Sequence, residues 1–147
     1  MLLKPEYLLE MNDIILNKKE SIERCVKNAR IYYSISSEVP FEKDYFKQDA
    51  IAINIQRACE QSIDLANYII KKKKLGLPKA SRESFSILVE NNIIDSVLSS
   101  NLQRMVSFRN ILIHEYKKLD ITLMKDVIEN HLNNLIEFTN IILRKFS

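Results

Sequence analysis

The chain is poor in everything that makes tight turns. Its 147 residues include one glycine and three prolines, and a fold built from β-turns needs many more of both. Long helices joined by short connections are what that scarcity leaves. No stretch approaches the ~18 consecutive apolar residues of a membrane-spanning helix, so no membrane span is expected. Tryptophan is absent and cysteine is rare, with two residues. Cys25 and Cys59 fall in apolar, helical settings, and their spacing gives neither a metal pattern nor a disulfide framework. They read as small buried hydrophobes, with a reducing cytoplasm as the natural compartment. Met1-Leu2-Leu3-Lys4-Pro5 is followed by no long apolar run and does not read as a signal peptide. There is no glycine-rich phosphate loop. No Gly-Ser followed by spaced carboxylates occurs, so the chain does not read as a nucleotidyltransferase catalytic subunit. His114 and His131 lie 17 positions apart, without the Cys or carboxylate spacing of a zinc site. Neither a metal nor a cofactor is expected.

Apolar residues are plentiful at 46%, enough for a core, and the length fits one domain over residues 1–147. The net charge of +3, from 22 basic and 19 acidic residues, is too mild to establish a nucleic-acid partner. Local clustering carries more information than that total.

Read in order, the chain predicts an all-α fold. Pro5 suits a helix first turn. Leu8, Met11, Ile15, Ile22, Cys25, Val26 and Ala29 then recur at helical spacing, predicting one helix to about Ser36, with a candidate interruption at Asn17. Ser36 to Pro40 is a loop, because the residue before proline resists the α conformation. A second long helix is expected from about Asp44 to Lys74, with a wide apolar stripe (Ile51, Ile55, Ala58, Leu65, Ile69) that implies burial on more than one side. Lys71 to Lys74 suit its C-terminal end through the macrodipole, with Gly76 as the expected cap. The same lysines could serve as a track for an RNA backbone. Ser81 is expected to cap a short helix to about Glu90, ended by Asn91 and Asn92. Asp95 or Ser96 should cap a helix reaching about Ile113, and Asp120 should cap the last helix. His131 is placed at the core or a polar edge of that helix, with no catalytic part. The expected architecture is an up-down bundle of four long helices plus one short one.

Ser107 to Tyr116 is the densest chemistry in the chain. A guanidinium, an amide, an imidazole and a phenol fall there within eight residues. Arg109 offers a planar fork of donors suited to phosphate. His114 can exchange a proton near neutral pH. Asn110 lies four residues before His114, within hydrogen-bonding reach on one helix face. Arg109 and His114, five apart, diverge by about 140° around a helix. A helix end near His114, or a second chain, is therefore needed to complete a site. The bland reading makes His114 a helix C-terminal residue that the dipole favours. Glu60 and Asp64, one turn apart on the second helix, read either as a solvated acidic edge pairing with nearby cations or as carboxylates that position Arg109 or His114.

The spacing of Arg109, His114 and Tyr116, an arginine, four residues, then His-x-Tyr, resembles the signature of HEPN-domain ribonucleases. More narrowly, the chain is similar to the HepT toxins, partners of a minimal nucleotidyltransferase antitoxin of the MntA type. Phe46-x-x-Asp49 leading into Gln56 to Asn67 resembles that family's second helix, and Gly76-Leu77-Pro78, Glu83 to Leu88 and Asn92 to Asp95 its middle connector. The likeness covers about residues 5–145. It implies a HEPN-like bundle, a homodimer, a toxin that cleaves RNA, and neutralisation by the antitoxin, which would attach AMP groups to Tyr116.

Metal-free RNA cleavage needs a base for the ribose 2′-hydroxyl, an acid for the leaving 5′-oxygen and a cation for the phosphorane charge. One chain carries one suitable imidazole and one motif arginine. Two chains about a two-fold axis place two of each in one cleft. His114 is thus expected to transfer protons and Arg109 to hold the scissile phosphate, with Asn110 orienting His114 and Tyr116 touching RNA or lining the cleft. Two other classes compete. The chain would be a non-catalytic, nucleotide-binding subunit of a split nucleotidyltransferase, or a helical scaffold in which Arg109 and His114 are replaceable.

Overall fold

The computed structural model describes residues 5–147, apart from the side chains of Pro5, Tyr7 and Leu8. The expectations placed on Met1 to Lys4 and on Leu8 lie outside the described residues. Helix α1 (Pro5–Ser34) begins at Pro5 and runs straight through Asn17. The expected interruption is missing for a simple reason. Met11, Ile15, Ile22, Val26 and Ala29 form one buried stripe on both sides of Asn17, while Asn17 itself is exposed. Asparagine's weak helix propensity costs only about 0.7 kcal/mol, far less than that burial supplies.

A 3-10 turn (Phe41–Lys43) leads into α2 (Tyr45–Lys73). Asp44 caps α2 by accepting the Lys47 N–H at 3.1 Å, and Gln48 Nε2 donates to the Phe41 carbonyl at 2.8 Å. At the far end Gly76 is not the cap. Lys74 takes the left-handed conformation at φ 54°, and the Leu75 N–H returns to the Ile70 carbonyl at 2.9 Å. That six-to-one bond requires the left-handed residue immediately after Lys73, two positions before the glycine. Lys72 and Lys73 lie over the rings of Tyr68 and Phe146 at 5.7 and 5.4 Å, so the lysine run is partly used in packing.

Helix α3 (Ser81–Glu90) starts at Ser81 rather than being capped by it; the N-cap position is Ala80 and makes no side-chain bond. Asn91 and Asn92 end it as expected, Asn92 at φ 59° with the Ile93 N–H bonded to the Leu88 carbonyl. Asp95 caps α4 (Ser96–His114), accepting the Leu98 N–H at 2.7 Å. Asp120 caps α5 (Ile121–Asp126) through the Thr122 N–H at 2.9 Å. The last helix is not uniform. A π-helical turn (Val127–His131) separates α5 from α6 (Asn133–Phe146), with right-handed helical dihedrals at both junctions. Val127 and Ile128, consecutive in that turn, are both buried. His131 lies on a polar edge, its Nε2 2.9 Å from Asp126 Oδ2.

Helix α1 packs chiefly against α2 and α6, and α3 bridges α2 and α4. The core is continuous across all of them, with Phe85 of α3 meeting Phe138 of α6 edge to face at 5.4 Å. Among the described residues there is no strand. This arrangement fixes α4 between α2 and α3, with its C-terminal end at the first turns of α2.

Candidate functional site

Buried Leu102, Met105, Phe108 and Leu112 lock the rotation of α4. With that face pinned inward, Arg109 turns toward α2 and α3 while Asn110 and His114 turn to solvent. Arg109 Nη2 donates to Ser81 Oγ at 3.4 Å, and its Nε is buried with no protein partner. Five N–H donors thus meet one long contact. The fork is held in place with most of its capacity uncommitted, a state suited to receiving an oxyanion. On α2 beneath it, burial pushes the Cys59 thiol up to about 12, against a smaller opposing influence of the Arg109 charge. The thiol donates to the Met105 carbonyl at 3.7 Å and is a packing group.

His114 is the last residue of α4, and the Glu115 N–H closes the turn on the Ile111 carbonyl at 2.9 Å. The imidazole caps nothing. Among the described residues neither His114 nor Asn110 has a side-chain hydrogen bond, so Asn110 does not hold the His114 ring within one chain. Both stand free at the helix end beside exposed Ile113. Arg109 and His114 project in different directions, as their spacing requires.

Tyr116 opens a 3-10 turn (Tyr116–Lys118) directly after the motif helix. Its ring packs on the core edge and its hydroxyl donates to Asp49 Oδ1 on the second turn of α2. Burial first, then the hydrogen bond and charge of Asp49, raise the Tyr116 phenol well above its usual range. A cleft of about 270 Å³ opens at this pair, lined by Glu42, Tyr45, Asp49, Tyr116 and Lys117 among others. Asp49 was visible in the sequence only as part of a family-like pattern; nothing local announces a partner 67 residues away. Ser81 was read as a cap, and its contact with Arg109 had no signal at all.

Glu60 and Asp64 make other contacts within the chain. Glu60 accepts from Gln56 Nε2 at 3.1 Å, and Asp64 pairs with Lys18 of α1 at 3.6 Å. Asp64 faces α1 through that pair, and neither carboxylate is bonded to Arg109 or His114 within the chain. For Asp64 the contact is an acidic edge pairing with a nearby lysine. Two adjoining clefts share Asn67 and Pro78 and lead from Lys71 and Lys74, past Lys79, to Ser81. The second of them ends at Ser81, the residue that Arg109 contacts. Among the described residues no helix is long and apolar enough to cross a membrane.

The model of the family described as "Ribonuclease HepT-like" matches residues 22–142. The chain is 42% identical over 132 residues to the mRNA nuclease HepT of Shewanella oneidensis, covering 90% of this chain and 98% of that protein. It superposes with a TM-score of 0.83 on a toxin–antitoxin crystal structure with AMP-PNP, at 40% identity over 88% of this chain and 97% of that one. A tri-AMPylated Shewanella oneidensis HEPN toxin in complex with its MNT antitoxin gives the same TM-score, 0.83, at 41% identity, covering 88% of this chain and 96% of that one. The matched region spans most of the chain and includes Arg109, His114 and Tyr116, and the chain belongs to the family of HepT-like ribonucleases.

Proposed function

We propose that this protein is the toxin of a HepT/MntA-type toxin–antitoxin pair, an endoribonuclease that needs no metal. The observation that carries the reading is the 42% identity to an mRNA nuclease across 90% of the chain, together with, among the described residues, Arg109 held only by Ser81 and an unpartnered His114 near one helix end. His114 moves the protons at the 2′-hydroxyl and the 5′-oxygen. Arg109 binds the scissile phosphate and stabilises its transition-state charge, while Asn110 and Tyr116 flank the reacting groups. The groove through Lys71, Lys74 and Lys79 guides the RNA backbone to Arg109.

Because the two motif groups diverge on one α4, the working site is composite. Two copies of the bundle, read as four long helices and one short one in up-down order, face each other about a two-fold axis. Phe46, Ile53 and Ile113 support this. They are exposed at 92%, 38% and 40% on α2 and α4 beside the motif, and a second copy would remove them from water. The antitoxin, a minimal nucleotidyltransferase, neutralises the toxin by attaching AMP to Tyr116. Anionic groups then fill the space an RNA phosphate would occupy.

Expression of wild type and His114→Ala side by side, with growth and total RNA followed, tests the reading. Wild type should arrest growth and degrade RNA, in EDTA-treated purified form as well, and His114→Ala should do neither. Harmless wild type with intact RNA would point instead to a nucleotide-binding accessory subunit.

A further inference from the structure

We propose that the cleft at Tyr116 is a built acceptor site for an adenylyl group, in which Asp49 is the base that removes the Tyr116 proton. The proposal rests on the reading of Tyr116 as the modified residue and adds the groups that perform the transfer on this chain's side.

Four observations meet in one place. The Tyr116 hydroxyl donates to Asp49, so a proton acceptor already touches the atom that would attack. The cleft of about 270 Å³ opens beside that oxygen. Tyr45, in the same lining, is 67% exposed at the first residue of α2 and offers a flat ring for a purine to stack on. Lys117, adjacent to Tyr116, has no ion-pair partner among the described residues and supplies a cation at the cleft. The other lining carboxylate, Glu42, is engaged with Lys125 at 3.3 Å, which lessens its repulsion of a phosphate.

The step balances simply. Tyr116 Oη attacks the α-phosphorus of a nucleoside triphosphate held by the nucleotidyltransferase. The new bond joins Oη to that phosphorus, the bond to the oxygen bridging the β-phosphorus breaks, and pyrophosphate leaves. The phenolic proton passes to the Asp49 carboxylate and then to water. Afterwards Tyr116 has no proton to donate, and Asp49 faces a phosphodiester anion. The tie between the turn Tyr116–Lys118 and α2 is lost. Because only Glu115 separates that turn from His114, one transfer both blocks the cleft and releases the end of the motif helix.

The test compares wild type, Asp49→Asn, Asp49→Glu and Tyr45→Ala. Each is incubated with the cognate nucleotidyltransferase and ATP, and intact mass is followed with time. Asparagine keeps an acceptor for the phenol, so Asp49→Asn should keep its melting temperature. Its adenylylation should slow by about 100-fold, within the range for loss of a general base. Its rate should also climb with pH where the wild-type rate is flat, a change that a purely structural role for Asp49 does not give. Asp49→Glu should recover part of the rate. Tyr45→Ala should need several-fold more ATP for half-maximal rate.

A second arm uses diisopropyl fluorophosphate, a phosphoryl electrophile that needs no partner protein. Tyr116 should be labelled faster in wild type than in Asp49→Asn. Equal rates for wild type and Asp49→Asn in either arm overturn the assignment of Asp49. If wild type gains no AMP at Tyr116, the underlying reading fails, and the electrophile arm still decides whether Asp49 activates the phenol.

Discussion

Arg109 on α4 reaches Ser81 at the first residue of α3, with Nη2 3.4 Å from Oγ. One helix thereby presets the direction of a cation that belongs to another. A guanidinium held this way meets a phosphate with little reorganisation. Ser81→Ala should therefore lower RNA cleavage by several-fold and leave the fold unchanged, whereas Arg109→Lys should lose about 100-fold or more, because an ammonium cannot reproduce a planar fork. Single-turnover rates with a fixed RNA, alongside melting curves, read both effects.

His114 is exposed and makes no side-chain contact that stabilises the chain. Its removal should cost little stability, within about 0.5 kcal/mol for a surface substitution. Cleavage should fall by ~10²–10⁴-fold. A drop in melting temperature that accounts for the lost activity would assign His114 to structure.

The contact between Phe85 and Phe138 ties α3 to the last helix at the centre of the core. Both rings are buried, at 1% and 0% exposure. Phe138→Ala should destabilise the protein by about 3–5 kcal/mol, measurable by urea unfolding. Activity at low temperature should survive, since the ring is buried in the core and Asn110 and His114 are exposed at the helix end.

Two phenols make stability depend on alkaline pH. Tyr116 is raised by burial and Asp49, and Tyr33 is raised to about 12 by burial and by Glu129, which accepts its hydrogen bond at 2.6 Å. Folded-state values above the unfolded one mean that stability is complete below about pH 10 and is lost as pH rises through the folded values. Wild type should lose stability above about pH 10 more steeply than Tyr33→Phe or Tyr116→Phe. Denaturation midpoints measured across that window check the sign.

Burial raises both thiols, Cys59 to about 12, and leaves Cys25 and Cys59 at 5% and 1% exposure. Iodoacetamide at pH 8 should modify neither thiol in native protein and both after denaturation. Fast labelling of either one in native protein would contradict the packing described for it.

Helix boundaries were legible wherever a local rule governed them. Asp95 and Asp120 each cap a helix as expected, and Asp44, read only as the start of α2, caps it too, because a carboxylate bonds an N–H two or three residues on whatever the rest of the fold does. The expected interruption at Asn17 and cap at Gly76 failed because burial against α2 and the Ile70–Leu75 bond outweighed weaker local preferences. The π-helical turn at Val127–His131 left no sequence signal, since the residues on either side of it keep helical spacing.

The chemistry of the site divides along the same line. Sequence by itself determined which reactive groups exist, their order on one helix and the divergence of Arg109 from His114, because five residues span a fixed angle on any α-helix. It also left Glu60 and Asp64 open between two roles. Only the tertiary structure decided that those carboxylates serve α2 and α1, that Ser81 holds Arg109 and that Asp49 holds Tyr116. Such pairings depend on how whole helices are rotated and set against one another, and that is fixed by burial of the core rather than by any neighbour in the chain.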